Sequence, residues 1–282
     1  MRAIAPGANL DWHGVATTLI FGRDLSPQDR VAAAKEALMS FSIAATPGAK
    51  MIFLIRRRPE ATRDELVANW FKNHMPDVIA GQERAAAEGK VHATKYIATL
   101  FDQRPGKDVP WDGMAQLWFD RAIPNPPEPH GTVPRDTFQQ KAEPYVGWAT
   151  TEHVVIDGEL PLVPNTLNEP FPATRSGFFK VTFLVPARDG IDYDAAFGHW
   201  LEAHAPNVRG VMNQIGGLRY VVNHSHDPAN EPYLGMAELY FRDPQGWDDY
   251  RATITEDGFS EYVDFSRLVN MHATAQMVGI PG

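Results

Sequence analysis

The sequence predicts an α+β protein in which two copies of one module pack into a barrel-like core within a single chain. Three observations support this fold class. The segment Lys50–Leu54 recurs at Lys180–Leu184, and Gly113–Phe119 recurs in the same order at Gly235–Phe241. The predicted elements also follow one order in both copies, namely strand, helix, strand, strand, helix, strand. Two colinear repeats of this kind indicate a tandem duplication.

Each copy begins with a strand and a helix. Lys50–Arg56 and Phe178–Val185 are apolar, β-favouring runs that end at polar residues or proline. In the first copy the helix starts at a capping box, Thr62-x-x-Glu65. In the second copy Asp192 is the predicted cap of the matching helix.

The remaining elements complete the βαββαβ order. The two Gly-Met-Ala segments are predicted third strands. The other predicted elements are second strands at Tyr96–Phe101 and Tyr220–His224, weaker helices at Arg135–Ala142 and Pro244–Thr253, and last strands at Val146–Ile156 and His272–Val278. This order is that of a ferredoxin-like module. Such a sheet has helices on one face, so we expect the two bare, apolar faces to pack on each other with pseudo-twofold symmetry.

The repeats divide the chain into four parts. We expect an N-terminal extension with one helix at 1–45, a first module at 46–157, a Pro-rich linker at 158–176 and a second module at 177–282. The helix of the extension is predicted after Ser26-Pro27, a pair typical of a helix start.

Composition excludes several classes of function. The net charge is −9, which disfavours a nucleic-acid-binding surface. With no cysteine there are no disulfides, thiolate nucleophiles or cysteine metal sites. No run approaches the 18 or so apolar residues of a membrane span, and no secretory signal is evident. We therefore expect a cytoplasmic protein whose partner is a small-molecule substrate, with a homodimer left open.

A candidate catalytic residue is predicted on the first helix of each module. Trp70 and His74 are four residues apart, as are Trp200 and His204, so each pair shares a helix face. A proline follows two residues after each histidine, so each helix is expected to end or kink there. A histidine is well suited to act as a general acid or base near neutral pH. The alternative is that the tryptophans are core residues and the histidines are structural.

The second module offers more candidates than the first. Tyr220 and His224 lie on one face of a predicted strand, beside Asn223. The first module offers Tyr96 and the basic run that starts at Arg56, which could hold one anionic substrate group. The working site is therefore predicted in the second module.

Cofactor sites are weighed and not predicted. His224-x-His226 followed by Asp227 could bind a metal, but the spacing matches no zinc signature. Haem would need an axial ligand, for which His204 or His74 would serve. The sequence therefore predicts neither a metal nor a cofactor.

Three motifs taken together resemble a known family. They are Lys-x-x-Phe-Leu, Trp-x-x-x-His-x-Pro and Gly-Met-Ala-x-Leu-x-Phe, in this order in both copies. This set resembles the EthD family of the dimeric α/β-barrel superfamily, over residues 50–157 and 178–279. The resemblance implies a pocket between the first helix and the sheet of each module, with His74 or His204 inside it. The superfamily includes cofactor-free decarboxylases, dehydratases, isomerases and monooxygenases, and others in it bind haem.

The preferred functional prediction is a cofactor-independent lyase or isomerase acting on a small apolar or aromatic compound. His204 would move a proton while Tyr220, Asn223 or His224 stabilises charge on a substrate oxygen. The predicted substrate-binding residues are Trp70, Trp200, Tyr96, Phe183, Met236 and Arg56, and Ile123–Pro134 is a candidate lid. The alternatives are a non-catalytic small-molecule binding or accessory protein and a haem- or oxygen-dependent oxidoreductase.

Overall fold

A computed structural model describes residues 43–107, 109–162 and 176–282. The predicted helix of the N-terminal extension and the middle of the predicted linker lie outside these residues. No helix within the described ranges is long and apolar enough to cross a membrane.

The first module starts with strand β1 (Ala49–Ile55), which is followed by one long helix in three segments. These segments are helix α1 (Arg63–Asn69), a π-helical turn (Trp70–His74) and helix α2 (Met75–Ala87). The predicted capping box forms at the start of α1. The remaining strands of this module are β2 (Lys95–Leu100), β3 (Gly113–Phe119) and β4 (Trp148–Ile156).

The second module repeats this plan and adds a helix. Its elements are β5 (Phe179–Val185), α3 (Tyr193–His199), a π-helical turn (Trp200–His204), α4 (Ala205–Gln214), β6 (Arg219–Ser225), β7 (Gly235–Phe241), α5 (Pro244–Thr253), a 3₁₀ turn (Phe259–Glu261), β8 (Val269–Ala273) and β9 (Ala275–Ile280). Asp192 caps α3 through the backbone N–H groups of Asp194 and Ala195, as predicted.

The strands form one antiparallel sheet in the order β8-β5-β7-β6-β4-β1-β3-β2-β9. Strand β4 pairs with β1 of its own module and with β6 of the other. At the opposite end β8 pairs with β5, and β9 pairs with β2 of the first module. Because only Thr274 separates β8 from β9, these two strands join the sheet ends into a barrel. The predicted pair of ferredoxin-like modules, packed as an intrachain pseudo-twofold dimeric α/β barrel, is confirmed.

One predicted helix is absent. Residues Arg135–Ala142 form turns, in which the Asp136 carboxylate accepts the backbone N–H of Gln139 at 2.8 Å. The chain before these turns contains Pro124, Pro126, Pro127, Pro129 and Pro134. Proline lacks the N–H that a helix needs and disfavours the helical conformation in the preceding residue. The corresponding helix of the second module, α5, spans the predicted residues.

The interior of the barrel differs from the apolar core that the sequence predicts. One part is apolar and contains Ile52, Met114, Leu184, Met236 and Met271. The other part is a polar layer, defined here as Lys50, Lys180, Gln116, Glu152 and Glu238, all at most 7% exposed. Lys50 contacts both glutamates, and Lys180 lies 2.6 Å from Glu238. The bare sheet faces are therefore only partly apolar.

Candidate functional site

Both Trp-x-x-x-His motifs form π-helical turns rather than α-helical ones. The backbone N–H that follows each histidine bonds to the carbonyl of the tryptophan five residues earlier. Pro76 and Pro206 follow two residues after the histidines, and proline neither donates a hydrogen bond nor fits beside the carbonyl four residues earlier. The helix widens at this point and continues as α2 or α4, so the predicted end is not observed. Single π turns are frequent at functional sites.

The tryptophan of each motif lies directly on the sheet. A β-carbon added at Gly235 would lie 2.3 Å from the Asn223 carbonyl oxygen and 2.8 Å from the Trp200 ring, and Gly113 and Trp70 repeat this contact. A glycine is therefore required in the Gly-Met-Ala motif, because the tryptophan of the Trp-x-x-x-His motif leaves no room for a side chain there. This contact fixes the height of the helix, and with it the histidine, above the sheet.

His204 forms a pair with a carboxylate that the sequence prediction did not include. Its Nδ1 lies 2.8 Å from Asp257 Oδ2, and Asn207 Nδ2 donates to the same oxygen at 2.7 Å. Partial burial alone would raise the pKa of Asp257, but the hydrogen bonds from His204 and Asn207 hold it below its usual range. Asp257 is thus a carboxylate, so Nδ1 of His204 carries the proton.

A cavity of about 470 Å³ lies beside His204, between the helix, the sheet and α5. We call it the helix-side cavity. Its walls are mostly apolar, and their aromatic residues are Phe183, Trp200, Tyr220, Trp247, Tyr250, Phe259 and Phe265. The ring of Phe259 stacks on His204 with centroids 4.3 Å apart, which fixes the plane of the imidazole. Arg251 and Glu256 are charged residues of the same lining.

The first module has the same pair but packs it differently. His74 Nδ1 lies 2.7 Å from Asp136 Oδ2, and the ring stacks on Phe138 with centroids 4.4 Å apart. Tyr145 packs against Phe138 and against Phe53, the counterpart of Phe183 in the cavity wall.

The predicted lid belongs to this packing. The segment Ile123–Pro134 brings His130 onto the ring of Tyr145, with centroids 5.5 Å apart. It therefore packs beside His74, in the module opposite to the predicted working site.

The predicted catalytic residues of the second module are not all brought together. Tyr220 lines the helix-side cavity with His204, and burial raises its pKa well above the usual value. Asn223 lies on the opposite face of the sheet, where its amide donates to Glu238 at 3.1 Å. His224 is stacked on Phe197, and burial lowers its pKa to about 3. Asn223 is therefore separated from His204, and His224 is a neutral core residue.

The predicted substrate-binding residues also lie in different parts of the structure. Trp200 and Phe183 line the helix-side cavity, whereas Met236 lies in the apolar part of the barrel interior. In the first module the Trp70 indole donates to the Tyr96 hydroxyl at 2.9 Å, and both are core residues. Arg56 donates to the Pro110 carbonyl at 2.7 Å and lies over Trp111, away from both histidines.

The His224, His226 and Asp227 set does not converge. His226 Nε2 pairs with the Thr151 hydroxyl at 2.9 Å, while Asp227 accepts from the Asn230 amide at 2.9 Å. Within the described residues no group of three or more histidine, aspartate or glutamate side chains is arranged to hold a metal ion.

A signal for the missed carboxylates was present in the sequence. Asp136-Thr137-Phe138 and Asp257-Gly258-Phe259 are a fourth repeated motif, Asp-x-Phe, after the Gly-Met-Ala segment. The motif is short, and the two copies lie in segments of very different composition. Its partner histidines are more than 50 positions away in each module.

The chain is similar to several solved structures, of which two are described here. One is a haem-binding protein from Thermus thermophilus, with 10% identity and a TM-score of 0.40, covering 82% of this chain and 92% of that protein. The other is a variant of chlorite dismutase from Candidatus Nitrospira defluvii, with 8% identity and a TM-score of 0.44, covering 86% of this chain and 95% of that enzyme. The comparison with curated protein sequences returned no match.

These findings correct the preferred functional prediction. The prediction was a cofactor-independent lyase or isomerase, whereas the solved structures reported as similar are those of a haem-binding protein and of chlorite dismutases. The internal geometry agrees with this correction, since two of the three predicted charge-stabilising groups do not reach His204. The cofactor-free interpretation is not retained.

The family comparison locates the resemblance in the second module. Residues 188–266 match the EthD domain, a range that contains the Trp200–His204 turn, Asp257 and most of the helix-side cavity. The resemblance to the EthD family is confirmed over these residues of the second module, and the chain is an α/β-barrel protein of two tandem modules.

Proposed function

We propose that the helix-side cavity of the second module binds haem, with His204 Nε2 as the axial ligand of the iron. One observation carries this proposal. Nδ1 of His204 is held by Asp257, and no hydrogen-bond partner is found for Nε2 among the described residues, although His204 lines the cavity. An imidazole held in this way presents its second ring nitrogen to the cavity, where it is available to a metal.

The residues around the cavity fit such a group. Haem needs an axial ligand inside an apolar pocket, and the walls here are mainly apolar, with seven aromatic residues among them. A carboxylate on the second nitrogen is the usual support of a metal-ligating histidine, because it fixes the tautomer and raises the basicity of the ring. Arg251 lines the cavity and could pair with a haem propionate. The volume of about 470 Å³ lies within the usual range of ligand pockets.

The protein would contribute binding, orientation and exclusion of water. Haem iron, when bound, supplies one-electron and oxygen chemistry that side chains cannot perform. Asp257 keeps the proton on Nδ1 of His204, and Phe259 holds the plane of the ring. Trp247 and Tyr250 close the side formed by α5 with apolar surface. The haem-dependent oxidoreductase considered from the sequence is thus the function that this geometry supports best.

The test is a titration of the purified protein with haemin, followed by the Soret absorption band. We expect saturation at one equivalent per chain, and a loss of the band shift or at least tenfold weaker binding in His204→Ala. Asp257→Asn should weaken binding about 10- to 100-fold, as expected for the support of a metal ligand. The matched control is His74→Ala, which removes the corresponding histidine of the first module.

Two results would contradict the proposal. In one, His204→Ala binds haemin with the affinity and spectrum of the unchanged protein. In the other, His74→Ala and not His204→Ala loses binding, which would assign the site to the first module. If haemin binds but no peroxide is consumed with a reducing dye, the non-catalytic binding protein replaces the oxidoreductase. A small-molecule substrate, a homodimer and a cytoplasmic location remain predictions.

A further inference from the structure

A second cavity of about 410 Å³ opens at the polar end of the barrel. We call it the barrel-mouth cavity. It lies on the inner face of the sheet, whereas the helix-side cavity lies on the outer face. Lys50, Lys180, Glu152 and Glu238 of the polar layer form part of its lining, together with Trp118 and Tyr240. Nothing in the proposed haem site uses this cavity.

The charges of the deepest residues compensate one another. Lys50 pairs with Glu152 at 3.0 Å and also contacts Glu238. Lys180 pairs with Glu238 at 2.6 Å and donates to the Thr99 hydroxyl at 3.1 Å. Two ammonium groups thus face two carboxylates, so the floor of the cavity is neutral. A ligand must therefore be recognised by the charges nearer to the mouth.

The mouth carries two half-buried cations, Lys95 and Arg219, and two exposed carboxylates, Asp157 and Glu159. Lys95 and Arg219 both line it, at corresponding positions opposite Trp118 and Tyr240. Arg219 pairs with Asp157, an exposed residue whose charge is screened by water. For Lys95 no carboxylate lies within 4.0 Å among the residues that the structure describes.

The surroundings of Lys95 explain why it would accept an anion. Burial, and after it the nearby charge of Arg219, lowers the pKa of its ammonium group, and a bound anion would offset both effects. Lys50 already donates to two carboxylates. The ammonium of Lys95 is therefore the group that is available to a ligand.

The side chains of the cavity wall favour a ligand with an aromatic ring. Lys95 Nζ lies 5.1 Å from the centroid of Trp118, and Lys50 Nζ lies 4.8 Å from it. Phe178, Ile97 and Val221 add apolar surface to the lining. We infer that the barrel-mouth cavity is a second ligand site, which binds the carboxylate of a small aromatic acid at Lys95 and its ring against this apolar surface.

The test is calorimetric titration of the full chain with benzoate and with benzamide, its neutral isostere. We expect benzoate to bind and benzamide to bind at least tenfold more weakly, since a charge-assisted hydrogen bond is lost. Lys95→Met should weaken benzoate binding about tenfold or more. The matched control is Lys90→Met, which removes the same charge at an exposed lysine paired with Glu88. Lys95 is a half-buried residue of the rim, and the thermal transition of each variant checks that it folds.

Three results would overturn the inference. Benzoate does not bind, or benzamide binds as strongly as benzoate, or Lys95→Met and Lys90→Met bind benzoate with the same affinity. His204→Ala separates the two cavities, because it should leave benzoate binding unchanged whether or not haemin binds. If His204→Ala abolishes benzoate binding while Lys95→Met retains it, the acid binds in the helix-side cavity and the inference is wrong.

Discussion

Replacing Glu238 by glutamine removes one of the two carboxylates that balance two buried lysines. Glu238 is fully buried, and its oxygens accept from Lys180 at 2.6 Å, from Gln116 at 2.9 Å and from Lys50. Burial alone would raise its pKa, but Lys180 and Lys50 hold the pKa below its usual range, so the group is charged. In Glu238→Gln, Lys180 loses its only carboxylate partner among the described residues.

The expected loss of stability is large. Removing one partner of a buried ion pair costs about 3–5 kcal/mol, because the remaining charge stays buried without compensation. For a folded unit of this size a loss of 1 kcal/mol lowers the melting temperature by about 2–4 °C. We therefore expect a decrease of about 6–20 °C. Glu159→Gln, at an exposed residue of the barrel mouth, is the control and should change the free energy of unfolding by less than about 0.5 kcal/mol.

The pseudo-twofold symmetry offers a rescue. Gln116 occupies the position in β3 that Glu238 occupies in β7, and its Oε1 lies 3.3 Å from Lys180 Nζ. Adding Gln116→Glu to Glu238→Gln moves the carboxylate across the axis and restores the charge balance. Circular dichroism during urea and thermal unfolding measures both variants. A cost below about 1 kcal/mol for Glu238→Gln, or no recovery in the double variant, would refute this account of the polar layer.

Two further predictions concern the second module. Burial lowers the pKa of His224 to about 3 in the folded protein. The contribution of neutral His224 to the free energy of unfolding should therefore be fully present above about pH 6.5 and decrease by at most about 1.4 kcal/mol per pH unit as the pH falls towards 3. His224→Leu, which introduces the residue found at the matching position Leu100, should reduce this slope in urea unfolding at pH 4 to 7, and an unchanged slope would contradict the prediction. Gly235→Ala should lower the melting temperature, because the added β-carbon would lie 2.3 Å from the Asn223 carbonyl oxygen. The control is Gly210→Ala in α4, whose β-carbon meets no atom within 4 Å and which should stabilise the protein by about 0.5–1 kcal/mol. Equal effects of the two substitutions would contradict the close contact at Gly235.

The duplication and the order of the strands could be predicted because both leave repeated apolar patterns in the sequence. The polar layer could not. Lys50 and Lys180 open their strands at matching positions, and a lysine at a strand end is normally an exposed residue. Their burial depends on Glu152 and Glu238, which are supplied by strands 102 and 58 positions along the chain from the lysines they neutralise. No local pattern records such a pairing.

The histidine of each His–Asp pair could be predicted from a local pattern, but its aspartate could not. The tryptophan and histidine lie within one turn of helix, so their spacing reveals a shared face. The aspartate comes from the segment before the last strand, and only the final contact shows that Asp257 serves His204. The π-helical turn depends on Pro206, which was visible in the sequence. It was interpreted there as a helix end, because a widened turn and a terminated helix have the same local signature.

The two modules show that the His–Asp pair alone does not define a functional site. Both modules contain it, at 2.7 Å and 2.8 Å, and both stack the imidazole on a phenylalanine. The difference lies in the segment between the third strand and the aspartate, which has almost the same length in both modules. In the first module five prolines prevent a helix, and this segment and the turn after it set His130 and Tyr145 together beside Phe138. In the second module the segment forms α5, whose aromatic residues stand away from His204 and leave the helix-side cavity between them. The pair positions an imidazole in each half, and in the half with the helix a cavity lies beside it.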